Sequence, residues 1–531
     1  MSISRRNILK GIALGVPALQ LKPSFAFDGD AGKIIPPIQS GPFAGTRASL
    51  RSYEVPDWFH DAKFGIWAHW GPQSAIEAGD WYARNMYIQG NRQYKYHIEH
   101  YGHPSKFGYK DTIPNWKAEK FDADYLMGLY KKAGAKYFMS MGVHHDNFDL
   151  WNSKHNRWNA VNMGPRKDIV GMFAKAARKN GLRFGVSDHL WITYKWFSTS
   201  KGSDTDGPFA GINYDGADPK NFELYGQCEE VFKKLDWNEN GIPQAWKKHW
   251  FDRIKDLIDT YEPDLLYCDG PMPFEDIGLN ILAHLYNKSA VKNNGKTQAV
   301  YTSKRAEDSN GKNGICVFDV ERGVVDTIWP KPWQTDTCIG DWHYNKDRVG
   351  KYKSVKTVID LLVDIVSRNG NLMLNIPLPA SGMPDADELN VLDGITKWMA
   401  VNSEGIYATR PWKIFGTGPR SAISKNDKEV NSAQQFNEKN RKDFSFEDIR
   451  FTTKGKTLYA FFMGWPGDTQ LSIRPLGTNS DQKTGTIESV ELLGVGKVDF
   501  TRDAEGLKVK LPSQKPCDHA YTLKISGNDI V

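Results

Sequence analysis

The chain carries a carboxylate, Asp269, directly after a short apolar run, and this placement suggests acid–base or nucleophilic chemistry. The run Leu265–Cys268 follows Pro263 and is too short for a helix, so it predicts a buried strand. The C-terminal end of a buried parallel strand is a frequent position for reactive side chains. Asp is also a common helix N-cap, so this segment alone leaves both interpretations open.

Other ionisable side chains follow predicted strands elsewhere in the chain. They are His69, His144, His145, Asp188, His189 and Glu321. A single histidine of this kind is more often a packed core residue than a functional one. A set of ionisable groups at the ends of different parallel strands instead predicts one shared site.

Three kinds of catalysis fit such a set. Metal-assisted hydrolysis is disfavoured because His144 and His145 are adjacent and would point to opposite faces of a strand. Nucleophilic catalysis by Ser or Cys lacks a G-x-S-x-G elbow, and Cys268 should face away from Asp269. Glycoside hydrolysis by two carboxylates would use Asp269 and Glu321 and needs neither a metal nor another cofactor.

Alternating strand-like and helix-like runs would position these residues. Residues 63–69 and 136–143 predict strands, residues 124–133 predict the helix between them, and residues 371–376 predict a last strand. Repeated strand–helix units favour an α/β fold, so we expect a (β/α)8-like TIM barrel over residues 49–412.

Two regions do not follow this alternation of strands and helices. Residues 197–243 are rich in Gly, Asp, Ser and Asn, which is typical of a loop over an active-site mouth or of a disordered spacer. Residues 413–531 contain short alternating runs separated by turn residues, which predict a C-terminal antiparallel β-sandwich. We expect this domain to support the barrel structurally.

The N-terminus reads as an export signal. Residues 4–10 (SRRNILK) form a twin-arginine pattern, a short apolar stretch follows, and residues 24–26 (SFA) resemble a cleavage site. We therefore predict a signal peptide over 1–26, a linker over 27–48, and a periplasmic or secreted protein. No later segment reaches the roughly 20 apolar residues of a membrane span, so we expect no membrane anchor.

Composition narrows the function further. The net charge of +6 over 531 residues, without a Lys/Arg block, gives no indication of nucleic-acid binding. The five cysteines contain no C-x-x-C pair and describe neither a disulfide framework nor a zinc site. The oligomeric state cannot be read from the sequence.

An ordered set of motifs over about residues 57–531 resembles glycoside hydrolase family 29, the α-L-fucosidases. The matching segments are 58–71 (WFHDAKFGIWAHWG), 80–82 (DWY), 133–137 (AGAKY), 144–148 (HHDNF), 166–168 (RKD), 267–270 (YCDG), 370–376 (GNLMLNI) and 450–452 (RFT). The resemblance implies a retaining, exo-acting hydrolase of terminal α-L-fucosides, with a carbohydrate substrate and no cofactor.

The resemblance also implies individual roles. Asp269 matches the nucleophile, and Glu321 falls where the acid/base residue is expected, with Glu307 and Asp319 as rivals. The candidate substrate-binding residues are His69, Asp80, Trp81, His144, His145, Asp188, His189, Tyr267, Arg305 and Trp342.

Several positions depart from the family pattern around the expected sugar. Asp80 stands where Glu is usual, and Ser187-Asp188-His189 replaces a Tyr-Tyr pair. An α-L-galactoside carries one hydroxyl more than an α-L-fucoside, on C6, and Asp188 or His189 could accept it. The alternatives are therefore an α-L-galactosidase of the same family, a hydrolase of sulfated fucans or galactans, or an inactive glycan-binding barrel.

Overall fold

The structure, a computed structural model, describes residues 35–309, 314–421, 436–440 and 443–531. The predicted export signal over 1–26 and the first part of the predicted linker lie outside the described residues. Within the described ranges, no helix is both long enough and apolar enough to cross a bilayer.

Eight parallel strands form a closed barrel in chain order. They are β1 Phe64–Ala68, β2 Tyr137–Val143, β3 Arg183–Asp188, β4 Leu265–Cys268, β5 Val300–Ser303, β6 Val317–Glu321, β7 Trp333–Cys338 and β8 Gly370–Asn375. The barrel closes where β8 pairs with β1, as in the register Ile66↔Leu374. Their residues are nearly all buried because helices cover the outside and side chains fill the inside. The predicted α/β barrel is confirmed.

Helices connect the strands and cover the barrel. They are α1 Arg47–Leu50, α2 Asp57–Ala62, α3 Tyr82–Asn85, α4 Arg92–Tyr101, α5 Tyr109–Thr112, α6 Ala123–Lys132, α7 Ile169–Lys179, α8 Thr193–Trp196, α9 Phe222–Tyr225, α10 Gln244–Tyr261, α11 Asp276–Lys292, α12 Val355–Ser367 and α13 Ala386–Asn402. The carboxylates of Asp122 and Asp168 accept backbone N–H groups at the starts of α6 and α7, which fixes where these helices begin.

Part of the predicted linker is packed rather than free. The backbone N–H of Phe43 donates to Asn287 Oδ1 at 2.9 Å, and that of Gln39 donates to His284 Nδ1 at 2.8 Å, so this segment lies against α11. The expectation of a simple linker is wrong for these residues, because Phe43 supplies an apolar side chain to the core.

The insertion over residues 197–243 is ordered by buried polar contacts. The hydroxyl of Tyr94 donates to Asp204 at 2.5 Å, and that of Tyr87 donates to Asp215 at 2.7 Å. Since buried tyrosine–carboxylate bonds hold one conformation, the structure favours a positioned loop over a disordered spacer.

The C-terminal region contains two antiparallel sheets. The strands are β9 Arg410–Thr417, β10 Ile449–Lys454, β11 Thr457–Phe462, β12 Gln470–Ile473, β13 Thr486–Leu492, β14 Gly496–Lys497, β15 Phe500–Arg502, β16 Leu507–Lys510 and β17 Tyr521–Asn528. Six strands form one sheet, in the order β14-β13-β17-β11-β10-β9, and β12-β16-β15 form the other. The expected barrel limit at residue 412 falls inside β9, which already belongs to the larger sheet.

A second hydrophobic core lies in this region, and the side chains of Phe451, Phe462, Leu471 and Val509 contribute to it. Other side chains of the same sheets, such as Phe461, pack instead into the core of the barrel domain. The C-terminal region therefore has its own core and also shares one with the barrel.

Candidate active site

A cavity of about 640 Å³ opens at the C-terminal ends of the barrel strands. Its volume is in the range of small-molecule sites, roughly 300–1,000 Å³. The lining residues are His69, Asp80, Trp81, His144, His189, Trp191, Trp237, Tyr267, Asp269, Gly270, Pro271, Lys304, Arg305, Glu321, Asp336, Trp342 and Phe436.

Asp269 follows β4 directly and faces cationic and hydrogen-bonding groups. His145 Nε2 lies 3.4 Å and His189 Nε2 lies 3.9 Å from its Oδ2. The Lys304 ammonium lies 3.7 Å from its Oδ1. Burial acts to raise the pKa of Asp269, but the hydrogen bond from His145 and the positive charge of Lys304 outweigh it and hold that pKa far below its usual value. Asp269 is therefore an anion at any ordinary pH.

Glu321 is the last residue of β6 and behaves in the opposite way. Burial raises the pKa of its carboxyl to about 7; Lys304 lowers that pKa, and the negative charges of Asp269 and Asp336 add to the rise. Its side chain is 18% exposed, on the cavity side. The site thus pairs a carboxylate that stays ionised with a carboxyl that keeps its proton near neutral pH.

Lys304 follows β5 and joins the two carboxyl groups. Its Nζ lies 3.3 Å from Glu321 Oε2 and 3.7 Å from Asp269 Oδ1. It also lies 3.1 Å from Asp319 Oδ2 and 3.1 Å from Asp336 Oδ2. Burial acts to lower the pKa of Lys304, but these four carboxyl groups raise it well above its usual value. Because one ammonium touches both, the nearest oxygens of Asp269 and Glu321 are at most about 7 Å apart, which excludes most of the roughly 6.5–9.5 Å range of inverting enzymes.

Three histidines from different strand ends line the cavity. Burial lowers the pKa of His69, His144 and His189, the last to about 3, so these rings are neutral. Gln73 Nε2 donates to His144 Nδ1 at 2.8 Å, which leaves the proton of His144 on Nε2, the nitrogen that faces Asp80. Neutral imidazoles can both donate to and accept from hydroxyl groups.

The expectation that His144 and His145 face opposite sides is wrong. Strand β2 ends at Val143, so both histidines lie in the turn that follows and are released from the alternation of a strand. His144 lines the cavity, while His145 donates from Nδ1 to the carbonyl of His189 at 2.5 Å and presents Nε2 to Asp269. Both ring nitrogens of His145 therefore face an oxygen atom.

Asp80 is supported by a residue that the sequence did not indicate. His343 Nδ1 lies 2.7 Å from Asp80 Oδ1, and His144 Nε2 lies 3.8 Å from the same oxygen. The shorter side chain at this position is thus held by two imidazoles at the edge of the cavity.

Most of the predicted site residues come together, with one clear exception. Asp188 does not line the cavity: its carboxylate accepts from the backbone N–H of Leu190 at 2.8 Å and from Trp250 Nε1 at 2.7 Å. It lies at the end of β3 with its oxygens toward the helix layer, where it positions the following turn. We therefore leave Asp188 out of the proposed sugar-binding set and keep His189.

The rivals of Glu321 are poorly placed. Glu307 is exposed and does not line the cavity. Asp319 is fully buried inside the barrel, where Gln334 Nε2 donates to it at 2.8 Å. Of the three carboxyl groups, Glu321 has access to both the cavity and Asp269.

Several cavity residues escaped the sequence analysis. They are Lys304, Asp336, Trp191, Trp237 and Phe436, which line the cavity, and His343, which contacts Asp80 at its edge. Asp336 lies in β7, which the hydrophobic pattern did not indicate because Gln334 and Asp336 make that strand polar. Trp191 lies in a single turn of 3-10 helix and Trp237 in a loop, and neither segment is long enough to carry a periodic signal.

Two groups of side chains in the described part of the chain could hold a metal ion. Within each group, His69, His144 and His189, or Asp80, His144 and His343, the candidate ligand atoms lie within 4.8 Å of one another. Imidazole nitrogen suits zinc or copper. The same atoms are equally suited to sugar hydroxyls, so the metal-free chemistry expected from the sequence stays a prediction.

An ionised carboxylate and a protonated carboxyl facing one cavity at the mouth of a barrel define a glycoside hydrolase. Residues 35–404 match the alpha-L-fucosidase family, and residues 441–526 match the alpha-L-fucosidase C-terminal domain. The chain therefore belongs to the alpha-L-fucosidase family, as its motifs indicated.

Curated relatives extend over nearly the whole chain. Tissue alpha-L-fucosidase of Homo sapiens is 27% identical over 493 residues, covering 90% of this chain and 91% of the relative. Plasma alpha-L-fucosidase of Rattus norvegicus is 28% identical over 502 residues, covering 91% of this chain and 94% of the relative.

Solved structures support the fold. The alpha-fucosidase of Thermotoga maritima in complex with a mechanism-based inhibitor superposes with a TM-score of 0.70 at 24% identity, covering 91% of this chain and 100% of that chain. An alpha-L-fucosidase of Bacteroides thetaiotaomicron gives a TM-score of 0.58 at 20% identity, covering 92% of this chain and 98% of that chain.

Proposed function

We propose that this protein is a retaining, exo-acting α-L-fucosidase that hydrolyses terminal α-L-fucosides by double displacement. The proposal depends on one observation: Asp269 and Glu321 both contact the Lys304 ammonium, and the pKa of Asp269 is lowered while that of Glu321 is raised. The sugar is taken from the names of the curated relatives. The alignment with the human tissue alpha-L-fucosidase covers 90% of this chain and 91% of that enzyme.

In the first step, an oxygen of Asp269 attacks the anomeric carbon while Glu321 gives its proton to the departing glycosidic oxygen. In the second, Glu321 takes a proton from water, and the water oxygen displaces Asp269 from the same carbon. Two inversions return the original configuration. The neutral rings of His69, His144 and His189 bind the sugar hydroxyls. His145, Asp80, Trp81, Tyr267, Arg305 and Trp342 complete the proposed set.

The nucleophile is tested by Asp269→Gly. Removing the attacking oxygen should lower turnover of an aryl α-L-fucoside by about 10³-fold or more. Sodium azide should restore turnover and give the β-L-fucosyl azide, whose inverted configuration NMR can identify, because azide enters from the side that Asp269 occupied. The exposed Glu307 offers a matched control, and Glu307→Gln should behave like the wild type. Turnover close to that of the wild type in Asp269→Gly would refute the assignment.

An α-L-galactosidase is the second candidate. His189 lines the cavity near Trp67 and Tyr267, with ring centroids 6.0 Å and 5.7 Å away, and adds a polar ring beside those of His69 and His144. Such a ring could accept the C6 hydroxyl that distinguishes L-galactose from L-fucose. Comparing kcat/KM for matched aryl α-L-fucosides and α-L-galactosides decides between them. An inactive glycan-binding barrel would bind L-fucose and cleave neither, and a sulfated substrate would be recognised by loss of turnover after desulfation.

We further propose export through the twin-arginine pathway, on the basis of Arg5 and Arg6 in the N-terminal motif. Replacing both by Lys should retain the protein in the cytoplasm, as fractionation followed by activity assay would reveal. Unchanged export would argue for another route.

A further inference from the structure

The ammonium of Lys304 lies between the two carboxyl groups that exchange charge during double displacement. We propose that Lys304 is a catalytic residue that neutralises the single negative charge as it passes from Asp269 to Glu321 and back. This inference rests on the proposed retaining mechanism and assigns a third residue to it.

The charge that moves is easily followed. When Asp269 forms its bond to the anomeric carbon, it loses its negative charge to the ester, and the electrons of the broken glycosidic bond go to the leaving oxygen. That oxygen takes the proton of Glu321, so the negative charge ends on Glu321. In the second step Glu321 regains a proton from water, the ester bond breaks, and the charge returns to Asp269.

The positions of the atoms suit this transfer. Lys304 Nζ lies 3.7 Å from Asp269 Oδ1 and 3.3 Å from Glu321 Oε2, so it is in contact with the anion before and after each step. A charge held in place in advance does not have to be reoriented during the reaction, and this is the main electrostatic advantage of an enzyme site over water. The Lys304 side chain is only 13% exposed, which limits screening by solvent.

Two further carboxyl groups also contact the ammonium of Lys304. Asp319 and Asp336 each approach Lys304 Nζ to 3.1 Å, and Tyr267 donates its hydroxyl to Asp336 at 2.7 Å. Burial, followed by the charge of Asp336, raises the pKa of Asp319 well above its usual value. If Lys304 only stabilised the fold, its contacts with Asp319 and Asp336 would be enough. Its contacts with Asp269 and Glu321 have no such structural purpose and point to a part in catalysis.

Groups from most of the strands surround this ammonium. The charged and titratable side chains that face it or act on it are Asp269, Asp319, Glu321 and Asp336, with the histidines His69 and His189 and the phenol of Tyr267, whose ring centroid lies 5.2 Å from Nζ. The carboxyl groups keep Lys304 charged, and its own titration plays no part in the cycle.

The pH profile of Lys304→Met tests the role. Lys304 lowers the pKa of Asp269 and also that of Glu321. Methionine fills similar space without the charge, so both the acid and the alkaline limbs of kcat/KM should move to higher pH, by about one unit or more each. A role in packing alone would lower activity with both limbs unchanged, and movement of only one limb would contradict a charge shared by both carboxyl groups.

Two more variants keep the test decisive if Lys304→Met folds poorly. Lys304→Arg retains the charge and should keep both limbs near their wild-type positions. Lys304→Ala should regain turnover, and its original limbs, when ethylammonium is added, whereas ethanol should have no effect. Absence of ethylammonium rescue in a folded Lys304→Ala protein with unshifted limbs would overturn the proposal. Failure of the retaining mechanism would show separately, as azide-independent activity in Asp269→Gly.

Discussion

Glu321 keeps its proton at neutral pH because its carboxyl is buried next to the Asp269 anion, and this determines the pH range in which the enzyme can work. Lys304 limits the effect but does not cancel it. At the scale of single residues, the site is therefore a balance between one buried cation and four carboxyl groups, and small changes in that balance become changes in protonation.

The first prediction concerns this proton. Glu321 acts as an acid only when protonated, and its pKa is raised to about 7, so kcat/KM should fall as the pH rises through about 7. The pKa of Asp269 is lowered, so Asp269 stays ionised and the acid limb should lie at much lower pH. Rates with a fucosyl disaccharide between pH 4 and 9 would show this profile.

Glu321→Gln provides the control for that profile. It should remove the alkaline limb and lower turnover of the disaccharide far more than that of a 4-nitrophenyl fucoside, because nitrophenolate leaves without a proton. Equal losses for both substrates would mean that another residue is the acid, and Glu307→Gln should leave both rates unchanged.

The sequence supplied the two carboxylates but not the residue between them. Asp269 and Glu321 could be located because each follows a predicted strand, and the family motifs added their roles. Lys304 also follows a strand, β5, but lysine is typical of surfaces, and its four partners lie in or directly after β4, β6 and β7, which meet only when the barrel closes. The same holds for His343, whose partner Asp80 is more than 250 positions away.

At the scale of elements, the hydrophobic pattern indicated β1, β2, β4 and β8 by range and missed β7. This strand carries Gln334 and Asp336 among its buried positions, and both point to polar partners inside the barrel. A strand that lines a functional interior loses the apolar pattern by which strands are recognised. The end of strand β6 is polar for the same reason: its last residue, Glu321, faces the cavity.

Two loops contribute exposed aromatic rings to the cavity, and they lead to the second prediction. Trp237, in the 197–243 insertion, is 51% exposed, and Phe436 is 48% exposed. The backbone N–H of Phe436 donates to the carbonyl of Glu321 at 2.8 Å, so this ring lies on the side where the leaving group departs. Truncating either ring to Ala should lower kcat/KM for a fucosylated oligosaccharide by about fivefold, through lost apolar contact.

The readout must separate leaving-group contacts from sugar binding. Hydrolysis of α-L-fucosyl fluoride, which has no leaving sugar, should change little in Trp237→Ala and Phe436→Ala. Tyr125, 47% exposed on α6 and remote from the cavity lining, gives the matched control Tyr125→Ala. Equal losses with both substrates would place these rings at the fucose itself.

At the scale of the whole molecule, a buried ion pair joins the barrel domain to the C-terminal sheets. Arg450 Nε in β10 lies 2.5 Å from Asp364 Oδ1 in α12, and both side chains are fully buried. Arg368 also approaches Asp364, at 3.3 Å. The motif around Arg450 was part of the family resemblance, but its partner could not be predicted, because Asp364 is 86 positions away and the two meet only in the folded protein.

The third prediction is that this pair holds the two regions together. Arg450→Met or Asp364→Leu leaves one buried charge without its main partner and should cost about 3–5 kcal/mol, lowering the melting temperature. The loss in the double variant should be smaller than the two single losses added together, because neither member of the pair remains. Arg368 loses its contact with Asp364 in both proteins that carry Asp364→Leu. Calorimetry on the four proteins gives the comparison; independent, additive losses would mean that the two side chains are not coupled.

The backbone pairing of residues 436–438 with the end of β6 has a consequence for dividing this chain into modules. Phe436 and Glu438 donate to the carbonyls of Glu321 and Arg322, so a piece of polypeptide from beyond the barrel braces the loop that follows the proton donor. A fragment that stops after α13 would retain every barrel strand yet lack that brace. A chimera that exchanges the barrel between homologues should therefore include the segment around residues 436–438 as well, because that segment holds the loop after Glu321.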